Sequence, residues 1–479
     1  MIRFVARKEL TELVRDGRFH WTGIILALLL ITALATGWQR YASYQDLQSS
    51  AQATSNTQWL KQGDKNPHSA AHYGNYAFKP AGPLSYFDSG VEAYTGTAVF
   101  MEAHKQNFAL ARPASDLNAV ARFGDLTGAF ILQVLVPLII IFLGFTAFSG
   151  ERDSGTLRQL LSMGVRRRDI LWGKAIGIGA GVALIVVPCL VLGALALSLA
   201  ELNTSAGFMA RMSVLVSTYG AYAAIFLFLT LAVSAWAKSG RHALIALVGF
   251  WAFTAFIAPK AVTEISKAVC PTPAYGEFMA DMRTMQAKGF DGVSPWRRIQ
   301  EMQAELYQEY GVNSVAELPV YWPATRMQKL EELDHDVFDY HYNNLRQAYT
   351  DQRRLQDSFG VIAPILSLRS VSMAMSGTDL ITHIEFMNAT ESYRRNMVAK
   401  MNGYLSKAAA SLNDSFSSSN YMTADEEVFA IVPPFEFDQP TVGQALGEHT
   451  RNFVILTIWL AFAVTASVAA VDRLSTEAR

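Results

Sequence analysis

Long apolar stretches recur along the chain and are separated by polar segments of very different length. A helix rises about 1.5 Å per residue and must cover a hydrocarbon core of roughly 30 Å, so a nearly uncharged stretch of about 17–25 residues predicts a membrane span. Six stretches qualify, the fifth being the shortest, and the predicted spans are 21–38, 128–148, 175–199, 212–236, 243–259 and 453–471. The pattern predicts a mainly α, polytopic membrane protein with about six transmembrane helices.

Basic residues are concentrated beside one end of these predicted spans. Short cytoplasmic loops carry an excess of lysine and arginine, so the basic segments 1–20 and 149–174 are predicted to be cytoplasmic. Lys238 and Arg241, between the fourth and fifth spans, and Arg473 in the tail 472–479 agree with this orientation. An even number of spans places both ends on one side, and we therefore expect cytoplasmic N and C termini.

Two long segments then lie outside the membrane, and their patterns differ. In residues 260–452 the apolar positions Trp296, Ile299 and Met302 recur at steps of three, as on one face of a helix, which predicts a large, mostly helical extracytoplasmic domain. The extracytoplasmic insertion 39–127 is richer in glycine, proline, tyrosine and asparagine. We expect this insertion to form turns and short elements rather than long helices.

Residues 1–20 have an amphipathic pattern that predicts an elbow helix lying on the membrane surface. Apolar residues such as Val5 and Leu13 share one face, and the charged residues of the predicted elbow include Arg7, Lys8, Glu9, Glu12 and Arg15. One interpretation is an anchor that only sets the orientation of the first span. The other interpretation is an element that transmits movement to that span, and this interpretation depends on the loop 149–174.

The loop 149–174 is the most informative segment of the sequence. It contains the pair Glu151-Arg152, the run Gly155-Thr156-Leu157 and the basic turn Gly164-Val165-Arg166-Arg167-Arg168. With these motifs and with Arg7-Lys8-Glu9-Leu10, the chain resembles the transmembrane permease subunits of ABC type-2 exporters. Its outer motifs His72-Tyr73-Gly74 and Phe87-Asp88-Ser89-Gly90 resemble a subgroup with a large extracytoplasmic domain of unknown function.

The resemblance implies that this loop contacts a separate ATPase and that the elbow helix couples the ATPase to the first span. The implied coupling residues are Glu151, Arg152, Gly155, Thr156, Leu157, Leu160, Arg166 and Arg167. We expect Thr156 to cap a short helix whose Leu157, Leu160 and Leu161 form an apolar docking ridge, oriented by the Glu-Arg pair. The alternative is an ordinary positive loop held by lipid headgroups, in which the glutamate only balances charge.

Other chemistry finds little support in the sequence. The pair Gly173-Lys174 is followed by Ala175 and lacks the earlier glycine of a phosphate-binding loop, so we expect no cofactor in this chain and place ATP and Mg²⁺ in the partner ATPase. Gly-x-Ser-x-Gly and His-Glu-x-x-His motifs are missing, and we expect no enzyme activity of its own. A net charge of −1 argues against a nucleic-acid partner.

Polar residues within the predicted spans are candidates for lining a path, although helix packing explains each of them as well. They are Gln133, Tyr219, Tyr222 and Thr230. The densest group of metal-ligand residue types is His335, Asp336, Asp339 and His341. Because Glu331, Glu332 and Asp334 beside it indicate a solvated acidic helix face, we expect no metal site there.

These features favour the permease subunit of an ATP-driven ABC exporter, a multi-pass protein of a bacterial cytoplasmic (inner) membrane. The expected partners are an ABC ATPase dimer, a second identical or related permease subunit, membrane lipid and a candidate extracytoplasmic accessory protein. The alternative is a mechanotransmission or membrane-anchor subunit, in which ATPase cycles move the outer domain without transport. The sequence leaves the substrate open, because fold-level analogy does not identify it.

Overall fold

Long helices dominate the computed structural model, which describes residues 1–112, 126–199, 206–413 and 422–474. Within these ranges, six helices are long and apolar enough to cross a membrane. They are Gly17–Leu60, Gly128–Asp153, Arg167–Val191, Ala206–Trp236, Gly240–Val269 and Val442–Asp472. The prediction of a mainly α, polytopic membrane protein is confirmed.

The elements before the second span mix helix with a small sheet. The helices are α1 (Ile2–Arg15), α2 (Gly17–Leu60), α3 (Pro67–Tyr73) and α4 (Glu92–Thr95). The strands β1 (Asn75–Phe78) and β2 (Ala98–Met101) pair in antiparallel register, with Asn75 opposite Met101. This sheet lies in the outer insertion, beside α3.

The second to fifth spans follow, with two short helices between the second and third. The second span is α5 (Gly128–Phe130, a π-helical turn at Ile131–Leu135, then Val136–Gly144). The next helices are α6 (Ser149–Asp153), α7 (Thr156–Ser162), α8 (Arg167–Leu199) and α9 (Ala206–Trp236). The fifth span is α10 (Gly240–Ala252, a π-helical turn at Phe253–Ile257, then Ala258–Val269).

The second outer segment is mostly helical, as its periodicity predicts. Its helices are α11 (Tyr275–Lys288), α12 (Pro295–Tyr310), α13 (Trp322–Ser358), α14 (Pro364–Ser376), α15 (Leu380–Ala408) and α16 (Glu426–Phe429). Short 3₁₀ turns lie at Val315–Glu317, Phe359–Val361 and Ala410–Leu412. The last span, α17 (Val442–Asp472), begins with a capping box between Thr441 and Gln444.

The expectation of short elements only in the insertion 39–127 is wrong, because α2 continues to Leu60. No glycine or proline interrupts the sequence between residue 38 and Gly63, so nothing stops the helix where the apolar stretch ends. With 44 residues, α2 is about 66 Å long at 1.5 Å per residue. Its far end is fixed by Trp59, whose indole Nε1 donates to the Phe429 carbonyl at 3.0 Å.

The spans and part of the outer domain share one apolar core. Ile365, Leu368 and Val371 of α14 are fully buried in the same cluster as Leu30 of the first span and Phe226 of the fourth. A second core joins Trp59 of α2 and Ala70 of α3 to Met397 and Met401 of α15. The insertion therefore packs on the larger outer domain, and that domain packs directly on the spans.

Candidate coupling site

The elbow helix α1 lies in a groove of small residues on the third span, α8. Three glycines at four-residue spacing, Gly173, Gly177 and Gly181, face the buried residues Val5, Glu9 and Leu13 of α1, which have the same spacing. A Cβ atom at Gly177 would lie only 2.6 Å from the Glu9 Cβ. Small residues at this spacing allow two helix backbones to approach closely.

Buried charges then tie α1 to α8 and to the loop between the second and third spans. Lys174, whose side chain is only 2% exposed, lies 2.9 Å from Glu9 Oε2 and 2.9 Å from Glu151 Oε1. Lys8 reaches the same Glu151 Oε1 at 2.9 Å. Glu9, Glu151 and Lys174 are largely removed from water and need such partners, whereas Lys8 is exposed. These four residues, which we call the lysine–glutamate cluster, hold three elements in one arrangement.

Arg152, the neighbour of Glu151, binds the fourth span instead. Its guanidinium donates to the carbonyl of Ala237 at 2.7 Å and to that of Ala235, at the end of α9. Ser234 Oγ also accepts from the backbone N–H groups of Phe148 and Ser149. Carbonyls at a helix C-terminus lack partners within the helix and carry partial negative charge, which suits an arginine.

The short helix α7 differs from its prediction at its first turn. Its N-cap is Gly155, with a φ of +75°, and not Thr156, whose hydroxyl donates to the Glu151 carbonyl at 3.2 Å. Leu157 is 3% exposed and belongs to the main core, while Leu160 and Leu161 are half-buried against it. The predicted docking ridge is therefore wrong for Leu157, which anchors the loop on the spans. Docking of the half-buried Leu160 and Leu161 on a partner stays a prediction.

Other residues of the loop point outward. Arg158 is exposed, Met163 is 70% exposed, and the Arg166 side chain is 86% exposed despite a 3.5 Å contact with Asp169. Arg167 donates to the Leu474 carbonyl at 2.9 Å and so holds the end of the last span. On α1, the exposed charged residues are Arg3, Arg7, Lys8, Glu12 and Arg15.

One end of the spans, which we call the basic end, thus brings together α1, the loop 149–166 and the end of α17. A family described as ABC-2 family transporter protein matches residues 3–315, more than half of the chain. The chain belongs to the ABC-2 transporter family. A domain of unknown function, DUF3526, matches residues 277–438, and no curated protein matches the sequence.

Membership in the ABC-2 family confirms the resemblance seen in the sequence. It makes the chain a multi-pass membrane protein of the ABC transporter permease type, and it implies in general a partnering ABC ATPase. The part matched as DUF3526 begins in α11 and ends shortly before α17. It therefore comprises most of the outer domain of this ABC-2 protein.

At the opposite end of the ABC-2 spans, three of the four candidate path residues meet. Gln133 Nε2 donates to the Tyr219 hydroxyl at 2.9 Å, and Tyr222 donates to the Gln133 carbonyl at 3.2 Å. The Tyr219 hydroxyl is also 2.9 Å from Ser372 Oγ on α14 of the outer domain. Thr230 lies apart, three turns further along α9, where its side chain is buried against Gly144.

An apolar cavity of about 290 Å³ adjoins this polar contact and lies between the first four spans. Its walls include Leu34, Val136, Val186 and Leu215, with Tyr219 on one side. Gln133, Tyr219 and Tyr222 are thus joined by hydrogen bonds, while the cavity beside them is lined mainly by hydrocarbon. This arrangement suits an apolar occupant better than an ion.

The acidic helix face expected around residue 331 is solvated only in part: Glu332 is exposed, but Asp334 is half-buried and Glu331 is buried. Glu331 is fully buried and pairs with Arg394 at 3.2 Å, and Asp339 pairs with Arg395 at 2.7 Å. Two motifs that are visible from residue spacing alone were not among the predicted sites. One is the Gly-x-x-x-Gly-x-x-x-Gly run at 173–181, and the other is His-x-x-x-His at 68–72.

Proposed function

We propose that the chain is the permease subunit of an ATP-driven ABC exporter whose basic end faces the cytoplasm and docks a separate ATPase dimer. The observation that supports this proposal is the arrangement of the loop 149–166. Glu151, Arg152 and Leu157 hold one side of the loop against the spans, and the other side is exposed. Arg158, Met163 and Arg166 form that exposed side, which we call the docking surface. ATP and Mg²⁺ belong to the partner, and this chain supplies no hydrolytic residues.

The lysine–glutamate cluster gives the loop a direct mechanical link to the spans. A force on the loop reaches α8 and α1 through Glu151, because the two lysines that hold it come from those helices. The same force reaches α9 through Arg152. Buried, hydrogen-bonded charges are costly to separate, so the loop and the ends of three helices are expected to move as one body.

The second subunit of the permease is expected to be another copy of this chain or a related chain in the same membrane. An ABC ATPase works as a dimer, and each half of the dimer needs its own docking surface. We place the assembly in a bacterial cytoplasmic membrane, where the basic end follows the positive-inside bias. An accessory protein on the far side is compatible with the large outer domain.

A second candidate function is mechanotransmission, in which ATPase cycles move the outer domain without moving a substrate. The observation that favours it is the continuous helix α2, about 66 Å long, which begins at the elbow and ends inside the outer domain. Arg211 of α9 adds a rigid link, because its guanidinium donates to the carbonyls of Ala374 and Met375 at 3.1 Å each. Both functions use the same docking surface.

The decisive experiment is co-purification of candidate ABC ATPase subunits with the chain in lipid nanodiscs. Arg158→Glu reverses a charge on the docking surface, and we expect it to weaken ATPase binding about tenfold or more, equivalent to roughly 1.4 kcal/mol. Arg283→Glu is the matched control, since Arg283 is also an exposed arginine on a helix but lies on α11 in the outer domain.

Retention of the ATPase by the parent and the Arg283 variant, with loss from the Arg158 variant, would support docking at this surface. Equal retention in both variants would refute that docking surface. Failure of every ATPase to bind the parent chain would refute the exporter proposal itself. Stimulated ATP hydrolysis without movement of any tested lipid or apolar compound would favour mechanotransmission.

A further inference from the structure

Three histidines converge in the outer insertion, away from the coupling site. His68 and His72 lie one turn apart on the same face of α3, a helix that begins at Pro67 after an Asn66 cap. His104 lies in the turn after β2 with a φ of +64°, a left-handed conformation that few residues other than glycine adopt. Strained backbone of this kind is often kept where a side chain must be aimed.

The ring nitrogens meet at the spacing of metal ligands. The Nε2 atom of His68 is 3.1 Å from that of His72 and 3.3 Å from that of His104, and all three ligand atoms lie within 4.8 Å of one another. Zinc binds imidazole nitrogen at about 2.0–2.1 Å in tetrahedral sites, which places neighbouring nitrogens about 3.3–3.4 Å apart. Two of the three separations are therefore close to those of a formed site.

Hydrogen bonds on the other side of the rings fix which nitrogen carries the proton. His68 Nδ1 is 2.8 Å from Asn402 Oδ1, and His104 Nδ1 is 2.6 Å from Glu331 Oε1. The Nδ2 atom of Asn402 donates to Gln328, which orients the amide so that its oxygen faces His68 and accepts the hydrogen bond. Both Nδ1 atoms therefore donate, which leaves both Nε2 atoms with a lone pair, the form that binds metal.

Without a cation, this arrangement is unfavourable. With all three rings neutral, a proton on His72 Nε2 could join that ring to one neighbour, but the lone pairs of His68 and His104 would still face each other at 3.3 Å. Ring stacking does not explain the contact either, because side-chain packing alone does not require all three Nε2 atoms to point at one place.

The surrounding residues are arranged as a supporting layer for such a site. Glu331 is fully buried, accepts from both the ring and the backbone N–H of His104, and pairs with Arg394. A carboxylate behind a ligating histidine is the usual means of orienting the ring.

We propose that His68, His72 and His104 bind one divalent first-row transition metal ion, with Zn²⁺ as the reference ion, through their Nε2 atoms. Three imidazoles suit Zn²⁺, Cu²⁺ or Ni²⁺ and not the hard ions Ca²⁺ and Mg²⁺, which prefer oxygen. His72 is exposed, so the ion enters from solvent and keeps a fourth position for water. Through Glu331 and Asn402 the ion also fastens the insertion to α13 and α15.

The test is a Zn²⁺ titration of the full chain in nanodiscs, purified without a polyhistidine tag and stripped with a chelator. Calorimetry should give one strong site per chain, and metal analysis after gel filtration should give one zinc per chain. His72→Gln removes an exposed ligand with little risk to folding, and His104→Gln removes the second. We expect each to weaken Zn²⁺ binding at least tenfold.

His335→Gln is the matched control, because His335 lies on α13 in the same domain and is not one of the three converging histidines. Its Zn²⁺ affinity should equal that of the parent. Co²⁺ provides a second readout, since a tetrahedral histidine site gives visible absorption that the His72 variant should lose. The proposal is overturned if the parent binds no zinc, if His72→Gln binds it as tightly as the parent, or if His335→Gln loses it equally.

Discussion

The close contact between α1 and α8 makes Gly177→Ala a sharp test of the elbow groove. An added Cβ would lie 2.6 Å from Glu9 Cβ and 2.9 Å from the Ala6 carbonyl oxygen, whereas carbon atoms normally pack at about 3.5–4.0 Å. Because one of these atoms is backbone, α1 must move away by about 1 Å. That movement also strains the 2.9 Å contact between Lys174 and Glu9.

Gly179→Ala, two residues along the same helix, is the natural control. Its added Cβ would lie 3.5 Å from Leu227 Cδ2, an ordinary contact. Both substitutions gain the same helix propensity, about 1 kcal/mol over glycine, so this gain cancels in the comparison. Overpacking costs about 1–3 kcal/mol, and we expect Gly177→Ala to be less stable than Gly179→Ala by that amount.

Thermal unfolding of both variants in nanodiscs measures the difference, and a cysteine pair across α1 and α8 reports whether the elbow has moved. Gly179→Ala should unfold at or above the parent temperature, and Gly177→Ala below it. Equal stability of the two variants would show that α1 does not occupy the groove. The reasoning about the lysine–glutamate cluster would then fail with it, since Glu9 and Lys174 could not meet.

Substitutions at Arg211, Tyr219 and Tyr222 test the junction between the spans and the outer domain. Arg211→Leu removes the donor to carbonyls near the end of α14 and should destabilise the protein by roughly 3 kcal/mol, since hydrogen bonds to a charged donor are worth about 1.5–3 kcal/mol each. Arg211→Lys should lose less stability, and equal unfolding temperatures for Arg211→Leu and the parent would contradict the link. Tyr219→Phe cuts two hydrogen bonds and Tyr222→Phe only one, so the unfolding temperature should fall further for Tyr219→Phe, and the reverse order would contradict the described network.

The spans could be predicted because a long apolar stretch indicates directly that the segment is surrounded by lipid. Lipid offers no hydrogen bonds to the backbone, so such a stretch is nearly always a helix. The outer half of α2 gave no such signal, since Gln39–Leu60 is polar and alternates small residues with glutamines. A polar helix is stabilised by the residues that it packs against. Trp59 bonds to Phe429, which lies 370 residues further along the chain, so the sequence near α2 does not indicate this contact.

The segments that form the candidate coupling site could be predicted, but the direction in which their side chains face could not. Helical spacing correctly grouped Leu157 with Leu160, yet periodicity does not say whether an apolar face meets a partner protein or the same chain. The charges of Glu9, Glu151 and Lys174 were visible, but they come together only when three separate elements pack. Spacing motifs such as the three glycines of α8 carry more of this information, because they require a close neighbour.

The helices α1 and α2, with only short breaks beside them, connect the two sites described here, and this bears on the choice between transport and mechanotransmission. Asp16 alone separates α1, held in the groove of α8, from α2, which runs through the membrane to Trp59. Only six residues then lead to α3 and the first of the converging histidines. A metal ion there would fasten this end of the rod to α13 and α15, so that displacement of the elbow would move the outer domain as one body. A substrate path requires the spans to separate, whereas a rod of this kind can transmit movement while they stay packed, and the proposed mechanotransmission would therefore need no opening between them.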